Sequence, residues 1–141
     1  MTSPAGHRLI PHTADMGIEA WAGGLEALFV EAGQGLRQML VGTAPVYAQR
    51  TLTVSLTAGD RAELLVAWLN ELLFHFEVDG LVPAAFRVDR LDDTCLQAEI
   101  GGELFRPERH PLHHQVKAVT YHQLILERRR HGWFARVYVD L

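Results

Sequence analysis

The chain of 141 residues is 48% hydrophobic and 21% charged, with a formal charge of −4, ordinary composition for one domain that buries a real core. Such a balance gives no reason to expect tight, sequence-independent nucleic-acid binding, and no apolar run nears the ~18 residues of a membrane span. Cys95 is the single cysteine, so an intrachain disulfide is excluded and a cysteine-based zinc site is disfavoured; without the layout of a signal peptide, the expected address is cytoplasmic.

In chain order, His7 to Pro11 reads as an extended segment, followed by His12-Thr13-Ala14-Asp15. Gly17 to Ala22 alternates, with Ile18, Ala20 and Ala22 on one side and Glu19 and Trp21 on the other, which predicts a short strand. From Leu25 to Leu40 the apolar residues Leu25, Leu28, Phe29, Ala32, Leu36, Met39 and Leu40 recur in steps of three and four, predicting a helix that Gly42 ends. Gly33 and Gly35 each cost that helix about 1 kcal/mol relative to alanine, so they predict close packing.

Gln49 to Leu56 alternates strictly and predicts a half-buried strand. Asp60 with Glu63 three residues on predicts the capped start of a second helix, whose stripe runs from Leu64 to Phe76 and ends at Asp79-Gly80. Trp68, Phe74 and Phe76 read as core on that helix, given their leucine neighbours, and not as a stacking platform for bases. Phe86 to Leu91 and Cys95 to Ile100 flank Asp92-Asp93-Thr94 as a hairpin, with Gly101-Gly102 and Phe105 to Pro111 as loop. Val116 to Leu126 and Trp133 to Val139 predict two more strands, turning around Arg128 to Gly132. The expectation is an α+β fold: a single two-layer domain over residues 1–141, with two main helices on a largely antiparallel or mixed sheet.

Chemistry-bearing residues are few. Asp15 and Asp140, with the carboxylate of Leu141 beside the latter, would suit a hard divalent cation if the two ends of the sequence meet; otherwise Asp15 is a turn former and Asp140 a solvated strand end. His110, His113 and His114 invite zinc, but Pro111 breaks any helical pairing, and a polar loop is the better reading. His12, Thr13 and Asp15 suggest acid–base chemistry without the geometry that would establish it. Lys117 fits an edge strand, His122 a half-buried strand position, and Arg128 to Arg130 a solvated hairpin tip or a docking contact for RNA or an acidic partner.

Taken together, several segments carry a resemblance: His12-Thr13-Ala14-Asp15, Leu28-Phe29, Leu64-Leu65-Val66, Trp68-Leu69-Asn70-Glu71-Leu72-Leu73, Gly102-Glu103, Pro107-Glu108-Arg109-His110, Val116 to His122 and Asp140-Leu141. In this order and at this length the chain resembles the archease family. The resemblance implies a non-catalytic accessory protein, partner of a GTP-dependent RNA ligase, promoting the ligase's guanylylation and multiple turnover in tRNA splicing and RNA repair. It further implies a bound divalent cation, usually calcium, held by Asp15, Asp140 and Leu141, with His12, Lys117 and His122 as candidate functional surface and RNA engaged only indirectly. A metal-binding chaperone-like module and a small metal-dependent phosphoester hydrolase are the competing readings. Arg106, Ala67 and Gln123 depart from the family pattern, where an acidic residue, Asp and Gly respectively are common.

Overall fold

Both helices lie where apolar spacing predicts them. In the computed structural model, which describes residues 4–11 and 15–141, α1 spans Leu25–Val41 and α2 spans Arg61–Asp79. Asp60 caps α2 by accepting the Glu63 N–H at 2.8 Å, while the Glu63 carboxylate reaches back to the Gly59 N–H at 3.1 Å, one residue before the usual capping-box donor. Gly80 closes α2 in the left-handed region, φ 69°, its N–H donating to the carbonyls of His75 and Phe76, a conformation glycine adopts without strain.

The two buried glycines of α1 bring it close to its neighbours. A Cβ at Gly35 would stand 2.6 Å from Ile18, and one at Gly33 would stand 3.0 Å from the Phe86 ring. Trp68 of α2 is fully buried and donates its indole N–H to the carbonyl of Phe29 at 2.9 Å, fastening the helices together. Phe74 corrects the reading of that face: it is 51% exposed, because it lies a step beyond the stripe formed by Leu65, Leu69 and Leu72.

The strands divide into two antiparallel sheets. The first joins β1 (Gly6–Pro11), β2 (Asp15–Ala22), β8 (Gly132–Asp140) and β6 (Ala118–Val119) in that order, with β7 (Ile125–Arg129) also on β8. The second places β5 (Cys95–Leu104) between β3 (Arg50–Thr57) and β4 (Leu81–Leu91). α1 packs against β2 and β4 and so bridges both sheets over one continuous core.

Two further sequence expectations change. Gly101 and Gly102 belong to β5 instead of a loop; a Cβ at Gly102 would come within 2.3 Å of the Val82 carbonyl, so glycine permits the close approach of β4 near its register shift after Pro83. Val116 to Leu126 is not one strand. It is the two-residue β6, a turn, and the start of β7, with Gln123 at φ 50° reversing the chain between them.

Candidate functional site

Pairing of β2 with β8 decides which residues share a face. Met16 lies opposite Val139 and Ile18 opposite Val137, all buried against the helices. Alternation therefore puts Asp15, Gly17, Glu19 and Trp21 on the outer face, opposite Asp140, Tyr138, Arg136 and Phe134 respectively.

Asp15 and Asp140 are thus direct cross-strand partners. Asp15 is half-buried, Asp140 is exposed, and Leu141 is half-buried against the core. Two carboxylates directly opposite on one face place oxygen donors of the kind a hard cation takes within one stretch of the sheet. Among the described residues no three His, Cys, Asp or Glu side chains gather as a metal cluster. A cation here would take two side-chain carboxylates and complete its shell with other oxygens, a donor set suited to a hard ion.

The flank of Asp140 is built by β6. The Lys117 N–H donates to the Asp140 carbonyl at 2.8 Å, and Ala118 pairs with Asp140. So short a strand needs an anchor, and Asn70 of α2 supplies it: its amide donates to the Val119 carbonyl at 3.3 Å and accepts the Val119 N–H at 3.1 Å. Thr120 then donates its hydroxyl to the Tyr138 carbonyl at 2.9 Å and accepts the His122 N–H at 3.3 Å. His122 is exposed on a turn, not half-buried in a strand, with its ring 6.0 Å from that of Tyr138. Lys117 is exposed. His12, Thr13 and Ala14 lie outside the described residues.

Two buried charge clusters were missed by sequence reasoning. Glu19, 2% exposed, accepts from Arg8 of β1 and from both Nε and Nη2 of Arg136 on β8, at 2.8 and 2.6 Å. Burial pushes the Glu19 carboxyl up, but the hydrogen bonds from Arg136 and Arg8 outweigh it and hold the carboxyl below its ordinary range. The only sequence signal was a carboxylate in a strand whose neighbours are all buried.

The second cluster is in the loop after β5, where His110 is fully buried and not part of a polar loop. Its Nδ1 accepts the Arg106 N–H at 3.0 Å, which leaves the proton on Nε2, 2.9 Å from Glu103. Glu103 also accepts the Tyr47 N–H at 2.6 Å and pairs with Arg109 at 3.0 Å. This cluster pins the loop to the second sheet. His113 and His114 lie elsewhere, His113 packing on Gly42, so the three histidines form no zinc site.

Comparison with known proteins fits this arrangement. The family model for the Archease protein family (MTH1598/TM1083) matches residues 7–141. The chain belongs to the archease family. It is 37% identical to protein archease of Methanosarcina acetivorans over 96% of this chain and 95% of that one, and 37% identical to that of Methanopyrus kandleri over 94% and 96%. The solution structure of Methanobacterium thermoautotrophicum protein 1598 superposes with a TM-score of 0.82 at 32% identity, covering 96% of this chain and 99% of that one. A crystal structure from Thermotoga maritima, described as an archease, possible chaperone, shares the fold with a TM-score of 0.57 at 19% identity, covering 100% of this chain and 98% of that one.

The turn at Gln123 carries a conformational cost. Its φ of 50° is in the left-handed region, where glycine is the unstrained choice. Arg106 is exposed at the loop edge.

Proposed function

We propose that the chain is a non-catalytic accessory protein of a GTP-dependent RNA ligase, promoting the ligase's guanylylation and repeated turnover in tRNA splicing or RNA repair in the cytoplasm. In this reading it carries a divalent cation, calcium first among candidates, held by Asp15, Asp140 and Leu141. Family membership supports the accessory role. The cross-strand pairing of Asp15 with Asp140 is the observation that carries the cation.

Physically, the cation would bridge the opposed carboxylates and fix the end of β8 against β2. Lys117, which closes the other side of Asp140, and His122, beyond it on the turn, would then offer a preset polar surface to the ligase. Nucleotidyl transfer moves a group between anionic species, so a rigid surface that binds one ligase state more tightly shifts the ligase toward it. The chemistry stays with the ligase.

The test is a turnover count with ligase, GTP and excess RNA ends bearing 2′,3′-cyclic phosphate and 5′-hydroxyl. The protein should raise the joins per ligase well above one, and Asp140→Ala should abolish the increase. An unchanged count refutes the activator reading. Phosphoester hydrolysis by the protein alone, lost in Asp140→Ala, would make it an enzyme instead.

A further inference from the structure

The outer face of the first sheet has a second, different end. Six residues along β2 from Asp15, roughly 20 Å at strand rise, Trp21 lies in a hollow of about 430 Å³ with Arg8, Arg129, Arg130 and Phe134 around it. Glu19 also lines the hollow, its carboxylate taken up by Arg8 and Arg136. Arg129 is stacked 3.7 Å over the Phe134 ring and tethered to Glu127 at 2.7 Å. The Trp21 indole is half-buried and backed by Gly6, where a Cβ would stand 2.8 Å from the ring.

Charge sets this end apart. In a chain of net charge −4, the carboxylates paired with Arg8, Arg136 and Arg129 among the described residues are Glu19 and Glu127, so that with Arg130 these groups leave a local surplus of two positive charges. The basic strip does not stop at the hollow. An adjoining depression continues over Gly23, Arg128 and His131, so the positive surface is longer than one nucleotide. Guanidinium groups match phosphate oxygens in a planar fork, and an aromatic ring beside them accepts any base by stacking.

We propose that this hollow binds single-stranded nucleic acid, a base stacking on Trp21 and the flanking phosphates contacting Arg8, Arg129 and Arg130. An acidic peptide would satisfy the arginines but leave the indole unused, and a free nucleotide would leave the adjoining strip unused. The inference stands apart from the cation: it concerns the opposite end of the face and needs neither Asp15 nor Asp140.

The test is fluorescence anisotropy of a fluorescein-labelled ten-nucleotide oligouridylate with the full chain at low salt. Saturable binding in the micromolar range is expected, weakened about tenfold by Arg129→Ala combined with Arg130→Ala. Because Arg129 covers Phe134, Arg130→Ala alone serves as the second variant, expected to weaken binding about threefold. Two to three phosphate contacts, each contributing roughly 0.7 to the slope, predict a log–log salt dependence near −1.5 to −2. Absence of saturable binding, or affinity unchanged in both variants, overturns the proposal. So does competition by uridine monophosphate at equal molarity, which would make this a free-nucleotide site, or by polyglutamate at equal charge, which would make it an acidic-peptide site. Calcium affinity should be the same in these variants as in the wild type, so failure here leaves the cation reading intact.

Discussion

Glu19 is 2% exposed while its partners are not: Arg136 is 33% exposed and Arg8 67%. Removing the carboxylate therefore leaves two guanidiniums that can turn to water, and the cost falls below the 3–5 kcal/mol of breaking a fully buried pair. Glu19→Gln should lower stability at neutral pH by about 1–3 kcal/mol, measured by urea unfolding. Since the folded carboxyl is held below its ordinary value of 4.5, its contribution is complete above that value and is lost as pH falls through the folded one. The gap between wild type and variant should close on the acid side; a gap constant down to pH 3 would contradict the ion-pair account. Gln123 supplies the opposite sign. With φ at 50°, Gln123→Gly should stabilise by about 0.5–1 kcal/mol if strain relief exceeds the added entropy of the unfolded chain. A drop in thermal midpoint would show that the glutamine side chain stabilises the turn.

Among the elements, those with a strong period or a cap were legible, because local chemistry alone determines them: α1, α2, β2, β3 and the Asp92 hairpin. β6 was not. Nothing local separates Ala118-Val119 from the apolar run through Leu126, since the break comes from Gln123 and the anchor from Asn70, 49 residues away. Asn70→Ala removes both hydrogen bonds to Val119 and leaves its N–H and carbonyl without them, so a loss of about 1–3 kcal/mol is expected. Faster amide exchange should be confined to residues 117–120 and the end of β8. Exchange unchanged there would mean that β6 is held by its pairing with β8 alone. Glu103 with His110 was equally hidden: a histidine followed by proline reads as loop, and only the fold brings the Glu103 carboxylate under it.

At the scale of the molecule, the outer face of the five-stranded sheet is polarised, with paired aspartates at one end, arginines and Trp21 at the other, and the Glu19 ion cluster between. The α+β class was legible from element order; the division into two sheets was not, because pairing partners are set by α1 packing on β2 and β4 together. No described helix is long and apolar enough to cross a membrane. The Asp15–Asp140 pairing could be suspected from the motif at each end, yet only the β2–β8 register makes the two residues cross-strand partners. The same register gives the most direct test, a calorimetric titration of metal-free protein with calcium. One ion should bind per chain in the wild type, and Asp15→Asn or Asp140→Asn should each weaken it by tenfold or more while the fold is retained. Undiminished calcium binding in both variants, or no binding in the wild type, would contradict a cation site between these strands.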